Sequence, residues 1–281
     1  MRHLDITQIQ KAIYKAICEI SFACDSALHE ALQNALEQEN DKLPRDILET
    51  ILLNHKLAQQ DHIPLCQDTG STVVIAEIGQ ELHIQGGSLI DAINNATAAA
   101  QKNCPLRASI VKEPLFERDN SSNNCPAIIH FEIVPGSELR LLIAQKGGGA
   151  ENMSFMKMHS PALDEEGLIN YVVDGVLAAG SRPCPPLILG IGIGGNFEQA
   201  PLMAKKALFR DLGSSHADPR YQDLESIILK RVNKLGCGAQ GFGGKTTALA
   251  VHIISAPCHI ASLPVAVNIQ CHAHRHKEIV L

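Results

Sequence analysis

The fold class is decided by one stretch of sequence, which reads Pro64-Leu65-Cys66-Gln67-Asp68-Thr69-Gly70-Ser71-Thr72-Val73-Val74-Ile75-Ala76-Glu77-Ile78. Proline and glycine bracket its first half, which predicts a loop, and β-branched residues fill its second half, which predicts a strand. Upstream of it, apolar residues recur every three or four positions over residues 6–60, with breaks at Asp25-Ser26 and at Pro44. That periodicity predicts three helices. The stretch therefore marks the change from a helical opening to a strand-containing remainder.

The remainder of the chain alternates between strand-like and helical patterns. Two strand-like runs, at residues 127–133 and 139–143, are joined by Pro135-Gly136-Ser137, which predicts a hairpin. Four helical segments, at residues 88–101, 166–179, 196–212 and 222–235, alternate with short apolar runs at residues 187–190, 249–254 and 263–268. The pattern predicts a mixed α/β (α+β) fold, in which a helical segment (residues 1–60) packs on a mixed-sheet part (residues 61–281). Because no repeat or flexible linker interrupts it, residues 1–281 are predicted to form a single domain.

Composition excludes several classes of partner. The 281 residues are 45% hydrophobic and 19% charged, which is typical of a globular protein. A formal net charge of -6, without a Lys/Arg cluster, argues against nucleic-acid binding and against an anionic membrane surface. No apolar run approaches the roughly 20 residues of a membrane span, and the N-terminus lacks a secretory signal, so we predict a cytoplasmic protein. Its 9 cysteines, an odd number, are predicted to be mostly reduced.

Three glycine-rich segments, at residues 146–150, 190–195 and 236–246, could bring backbone N–H groups close to an anion. Gly190, Gly192 and Gly195 satisfy the G-x-G-x-x-G pattern of dinucleotide-binding folds. The third segment ends in Gly-Lys-Thr, but the phosphate-loop pattern fails because position 239 is alanine. Judged by themselves, the segments leave dinucleotide binding and plain tight turns both open.

Three cysteines lie in loops at the edges of predicted strands. Cys66 stands beside an amide, a carboxylate and a hydroxyl, Cys184 stands among three prolines, and Cys271 follows the last apolar strand. Polar loop positions at strand ends are where functional side chains concentrate. The chain has no C-x-x-C spacing of the kind that structural zinc sites and ferredoxins use. Spacing alone therefore leaves two interpretations open, buried structural thiols and a three-thiolate metal site.

The order and spacing of six segments resemble class I, iron–sulfur-dependent fumarate hydratases and L-tartrate dehydratases, specifically the α subunit of the two-subunit form. These segments are residues 64–70, 146–149, 184–186, 190–195, 236–245 and 262–271, and the resemblance covers the chain from about residue 6 onward. It implies a hydro-lyase in which Cys66, Cys184 and Cys271 hold a 4Fe-4S cluster with one open iron site. In that family the cluster binds and polarises the substrate, and no redox change is needed.

The resemblance also assigns roles to four other residues. Asp68 is expected to act in proton transfer, while Gln67, Arg107 and Gly149 match substrate-binding positions. For Asp68 an Asx turn in the Gln67-Asp68-Thr69-Gly70 loop is the structural alternative. The implied substrate is a small dicarboxylate, in the reversible hydration of fumarate to (S)-malate, a reaction of the tricarboxylic acid cycle. L-tartrate dehydration is the first alternative, and a non-catalytic nucleotide-binding subunit is a remote one.

A partner chain is a further expectation. In single-chain members of the family, additional basic substrate-binding residues and the proposed base come from a C-terminal domain, whereas this sequence stops at Leu281. The resemblance therefore implies a separate β subunit, assembly into an α2β2 heterotetramer, and no activity for this chain alone.

Overall fold

The computed structural model describes all 281 residues and confirms the mixed α/β fold, including the three N-terminal helices. The strands are β1 (Arg2–Asp5), β2 (Ser71–Gly79), β3 (Leu82–Gln85), β4 (Ile128–Val134), β5 (Leu139–Lys146), β6 (Phe155–His159), β7 (Leu187–Gly195), β8 (Ala248–Cys258), β9 (Leu263–Gln270) and β10 (Arg275–Val280). The helices are α1 (Ile6–Phe22), α2 (Ser26–Gln38), α3 (Lys42–Asp61), α4 (Leu89–Asn103), α5 (Gly148–Glu151), α6 (Glu165–Ala179), α7 (Gln199–Ala207) and α8 (Pro219–Asn233), with a 3₁₀ turn at Ala239–Gly241.

The chain forms two compact units, which we describe separately. Unit 1 comprises Met1–Cys24, Asn54–Gly148 and Arg275–Leu281, and unit 2 comprises Asp25–Leu53 and Gly149–His274. The single-domain prediction stays a prediction. None of the helices combines the length and the apolar composition that crossing a bilayer requires.

The core of unit 1 forms where α1 packs on α4 and on one face of a four-stranded sheet. Helix α1 begins at Asp5, whose Oδ1 accepts the Thr7 N–H at 2.8 Å and so satisfies a free backbone donor of the first turn. Its apolar residues are spaced three to four apart, so they lie on one helix face and are fully buried. They share one core with apolar residues of α4 and β5: Ile9, Ile13, Ile17, Ile93, Ala96, Leu141 and Ile143.

The sheet of unit 1 has the strand order β10-β5-β2-β4, which corrects the hairpin prediction. Strands β4 and β5 follow each other in sequence, but β2 lies between them, parallel to β4 and antiparallel to β5. The Pro135-Gly136-Ser137 turn does reverse the chain. Its flanking residues pair with the end of β2 instead of with each other, since the Gly79 N–H donates to Glu138 O at 2.8 Å and the Gln80 N–H donates to Val134 O at 2.9 Å.

This topology collects several strand ends at one edge of the sheet. Ser71, at the start of β2, lies opposite Lys146, at the end of β5. Arg275, at the start of β10, lies opposite Gln145. The loop that carries Cys66 and Asp68 enters β2 at this edge, so residues far apart in sequence become neighbours there.

Unit 2 is built on a second four-stranded sheet, of order β6-β9-β7-β8. Here the structure corrects another prediction, because residues 190–195 are part of β7 and do not form a glycine-rich loop. A Cβ atom on Gly190 would lie 2.0 Å from Ala204 O, and one on Gly192 would lie 2.1 Å from Ala200 O. Both glycines therefore let the backbone of α7 pack directly on the strand, and the remote nucleotide-binding alternative loses its phosphate-binding loop.

One edge of this second sheet also collects predicted site residues. Strand β7 is antiparallel to β9, with Ile188 opposite Gln270, and parallel to β8, with Leu187 opposite Ala248. The starts of β7 and β8 and the end of β9 therefore coincide. Cys184 lies just before β7, and Cys271 lies just after β9.

Candidate active site

In unit 1, the loop that begins with Cys66 is closed by hydrogen bonds to its own thiol. The backbone N–H of Asp68 donates to Cys66 Sγ at 3.4 Å, and the thiol contacts Gln67 Oε1 at 3.6 Å. Cys66 is half-buried and Gln67 is exposed. The Cys66 sulfur is therefore held in a fixed position against the backbone of its own loop.

The carboxylate of Asp68 is fixed from two directions. Oδ1 accepts the Gly70 N–H at 3.0 Å and lies 3.5 Å from Ser109 Oγ, while Oδ2 accepts the Gly148 N–H at 2.8 Å. The bond to Gly70 is the Asx turn that was considered as the structural alternative. The bond to Gly148 reaches the far end of β5 and does not belong to that turn. Asp68 therefore serves as a turn residue and also presents a carboxylate of fixed orientation.

Gly70 allows the loop to approach the end of β5 closely. Its φ is +72°, and a Cβ atom there would lie 2.1 Å from Lys146 O. Glycine is therefore required both for the backbone conformation and for the space.

Arg107 belongs to an irregular segment that ends at the same edge of unit 1. Two residues further on, the Ser109 N–H donates to Asn124 Oδ1 at 2.8 Å, and Asn124 Nδ2 donates to Gly70 O at 3.0 Å. Arg107 itself is exposed. Ser109 and Asn124 were not predicted from the sequence, because no local motif marks them and only the fold brings them to this loop. The Gly148 N–H does fit the prediction that the glycine-rich 146–150 segment would bring a backbone N–H close to an anion.

In unit 2, the backbone around Cys184 is held on both sides. Cys184 has a φ of +57°, and its N–H donates to Ser181 O at 2.9 Å. The next residue, Pro185, accepts at its carbonyl the N–H of Gln240 at 2.8 Å and the Nε2 donor of the same residue at 3.0 Å. The glycine-rich 236–246 segment therefore fixes the loop that exposes the Cys184 side chain.

Unit 2 brings three of the predicted site residues together. The His272 N–H donates to Cys184 O at 3.4 Å. The buried Cys271 is the residue before His272, so this bond keeps Cys271 and Cys184 close together. Gly149 is exposed in α5, and a Cβ atom there would lie 3.2 Å from Arg182 O, two residues before Cys184. The predicted residues thus form two sets, with Cys66, Gln67, Asp68 and Arg107 on unit 1 and Gly149, Cys184 and Cys271 on unit 2.

These donors suit an iron–sulfur cluster. None of the 9 cysteines is in a disulfide, and thiolates are the usual ligands of such clusters. The three predicted ligands lie in loops at sheet edges, and Cys66 accepts a backbone N–H of the kind that stabilises a ligating sulfur.

Thiols in loops and an oriented carboxylate supply possible metal ligands and a group for proton transfer. Comparison with known proteins then shows the family, since the model of the fumarate hydratase (Fumerase) family matches residues 10–280. The chain therefore belongs to the fumarate hydratase family and is a hydro-lyase.

Individual relatives are named for L(+)-tartrate, whereas the family model is named for fumarate. The chain is 37% identical over 273 residues, 95% of each chain, to the putative L(+)-tartrate dehydratase subunit alpha of Methanocaldococcus jannaschii. It is 29% identical over 254 residues, 89% of this chain and 83% of the relative, to the L(+)-tartrate dehydratase subunit alpha of Escherichia coli O157:H7. The corresponding protein of the K12 strain is 28% identical over the same shares.

Proposed function

We propose that this chain is the α subunit of a 4Fe-4S hydro-lyase that catalyses the reversible hydration of fumarate to (S)-malate together with a β subunit. The observation that carries the proposal is the Asp68 carboxylate, which the N–H groups of Gly70 and Gly148 orient within the loop where the backbone N–H of Asp68 donates to the Cys66 sulfur. The family model supports the class of reaction, and the names of the relatives, each a subunit alpha, support a partner chain.

Cys66, Cys184 and Cys271 are the proposed ligands of the cluster, with one iron site left open. When bound, such a cluster supplies a Lewis acid that polarises the bond between carbon and the departing or arriving hydroxyl. The residues of the chain have three tasks beside it, which are to hold the ligands in place, to orient the dicarboxylate and to move a proton.

Asp68 is the proposed proton-transfer residue. Because N–H groups fix both of its oxygens, its remaining lone pairs keep a constant direction. A carboxylate that is fixed in this way can take a proton from the substrate or return one without first reorganising.

Arg107, Gln67 and Gly149 are the proposed substrate-binding residues. All three are exposed, so their donors can reach a ligand. The planar guanidinium of Arg107 matches both oxygens of a carboxylate. The basic residues and the base expected for the other end of the substrate are assigned to the β subunit, and the assembly is proposed to be α2β2.

Dehydration of L-tartrate is the second candidate, and the names of the relatives favour it. Fumarate and L-tartrate are both four-carbon dicarboxylates, so the same carboxylate-binding groups suit either one. (S)-Malate, the hydrated form of fumarate, and L-tartrate differ in one hydroxyl group that the site must accept or reject, and a few side chains can decide such a difference.

Anaerobic reconstitution tests the proposal. The chain would be loaded with iron and sulfide, combined with its β subunit, and assayed with fumarate, (S)-malate and L-tartrate in parallel. We expect turnover of fumarate and (S)-malate by the pair and none by the chain alone. Turnover of L-tartrate alone would select the second candidate, and an iron-loaded pair that converts none of the three would refute the hydro-lyase assignment for this substrate class.

A further inference from the structure

Arg275, the first residue of β10, has a buried side chain with two unused donor atoms. Only 2% of the residue is exposed, yet its Nε and Nη2 atoms have no hydrogen-bond partner and the side chain makes no ion pair. Other arginines that are partly shielded from solvent have carboxylate partners. Arg140 bonds to Glu77 and Glu278, and Arg210 bonds to Glu225. Arg275 is thus an exception that calls for a ligand, because buried polar groups are normally hydrogen-bonded.

The two unused atoms indicate the shape of that ligand. Nε and Nη2 carry the N–H groups of one edge of the planar guanidinium, and this edge donates two parallel hydrogen bonds to the two oxygens of a carboxylate. A cation that is shielded from water also favours an anion over a neutral ligand, since charge–charge attraction is stronger in a low-dielectric surrounding. The chemistry of the free edge therefore fits a carboxylate.

The free edge lies within the proposed active site of unit 1. Arg275 is opposite Gln145 in the sheet, and the chain continues from there to Gly147. A Cβ atom placed on Gly147 would lie 3.8 Å from Arg275 Nη2 and 3.4 Å from Asp68 Oδ2. The guanidinium and the proposed proton-transfer carboxylate therefore flank the same glycine without forming an ion pair with each other.

We propose that Arg275 is a substrate-binding residue, whose Nε–Nη2 edge holds one carboxylate of the dicarboxylate beside Asp68. This inference rests on the proposed function, because it takes the ligand to be the four-carbon dicarboxylate of the reaction. It adds a carboxylate partner within this chain, in unit 1, to the exposed Arg107. It also gives Gly147 a purpose, since a methyl group there would lie within 4 Å of both charged groups and take up space beside them.

The test compares dicarboxylate binding by the anaerobically loaded complex with its β subunit. Arg275→Gln removes both the charge and the paired N–H donors of the guanidinium. Arg275→Lys keeps the charge but loses the paired donors. Arg231→Gln is the matched control, since Arg231 pairs with Glu166 on the surface of unit 2. Calorimetric titration with succinate, a dicarboxylate that cannot be hydrated, reports binding, while initial rates give KM and kcat separately.

We expect succinate binding to weaken about thirtyfold or more in Arg275→Gln, and KM to rise with it, because a desolvated charge-assisted pair is lost. Arg275→Lys should bind with intermediate strength, and Arg231→Gln should match the wild type. Gly147→Ala, which leaves Arg275 in place, should also weaken binding and serves if Arg275→Gln does not fold.

Folded Arg275 variants that bind succinate as tightly as the wild type, with an unchanged KM, would overturn the proposal. That result would leave the proposed function intact, because the wild-type complex would still convert its substrate. A wild-type complex that neither turns over the candidate substrates nor binds succinate would overturn both.

Discussion

At the scale of single residues, Asp68 shows how a local motif acquires a second role. Its Asx turn with Gly70 follows from the loop sequence alone, since aspartate commonly bonds to the backbone N–H two residues ahead. The bond from the Gly148 N–H spans 80 positions and depends on the pairing of β2 with β5. The turn makes the loop, and the second bond fixes the direction of the carboxylate.

Replacing Asp68 with asparagine should remove proton transfer while keeping the shape of the side chain. We expect kcat to fall by about 10²- to 10⁴-fold, the usual contribution of a positioned acid or base, with iron content and succinate binding little changed. Steady-state kinetics of the loaded complex would measure this. Asp223→Asn, at an exposed position of α8, is the control that should retain full activity. An Asp68→Asn enzyme with wild-type kcat would show that the residue is only a turn former.

Gly70→Ala tests the close approach of the loop to β5, and Gly136→Ala separates backbone strain from steric clash. Both glycines have positive φ, +72° and +99°, but a Cβ atom on Gly136 would have no atom within 4 Å. Gly136→Ala should cost about 1–2 kcal/mol from conformation alone. Gly70→Ala should cost about 2 kcal/mol more, because the new Cβ meets Lys146 O. Urea unfolding measures both, and equal losses would contradict the clash.

At the scale of elements, β7 shows why the glycine pattern of residues 190–195 misleads. Glycine-rich runs between an apolar stretch and a helix are typical of phosphate-binding loops. In β7 the same residues alternate along a strand, so Gly190 and Gly192 face one side and admit the backbone of α7. The alternation of glycine and isoleucine over residues 190–193 was the signal for a strand. The sequence could not show that α7 would pack on the glycine side of that strand.

The packing of β6 on α6 predicts a pH-dependent stability. His159 of β6 makes an edge-to-face contact with Tyr171 of α6, with ring centroids 4.5 Å apart, and its Nε2 is buried without a partner. Burial, and secondarily the positive charge of Lys157, lowers the pKa of His159 below its ordinary value of 6.5. The folded state therefore favours the neutral ring, and this contribution to stability is complete above pH 6.5 and is lost as the pH falls below it.

His159→Phe keeps an aromatic ring in contact with Tyr171 and removes the titrating group. We expect the unfolding free energy of the variant to decline less between pH 7 and pH 5 than that of the wild type, as measured by urea unfolding at each pH. His83→Phe, at an exposed position of β3, should decline like the wild type. Parallel pH profiles for His159→Phe and the wild type would contradict the assignment.

At the scale of the whole molecule, both units place predicted site residues at the edge of a sheet. Each has a four-stranded mixed sheet, and each collects predicted site residues where strands start and end at one edge. In unit 1 these are Cys66 and Asp68, and in unit 2 they are Cys184 and Cys271. Loop side chains at sheet edges can be varied without disturbing the core, which is why such edges commonly carry function.

The proposed cluster predicts how iron content responds to single substitutions. Cys184→Ser and Cys271→Ser should each sharply reduce iron and sulfide content after anaerobic reconstitution, along with the visible absorption, because an alcohol is a poor substitute for a thiolate. Cys258→Ser is the matched control, since Cys258 is an exposed thiol outside the proposed set. Cys184 and Cys271 variants that retain wild-type iron content would contradict the ligand assignment.

Local sequence patterns were enough to predict the class of the fold and the three opening helices, and six short segments were enough to indicate the family. The spacing of apolar residues and the order of short segments along the chain can both be recognised without knowing the fold. Tertiary structure alone decided that β2 separates β4 from β5, that Gly190 and Gly192 face α7, and that Arg275 stands beside Gly147. These are contacts between residues distant in the chain, and no local periodicity encodes which strand edge a side chain will share.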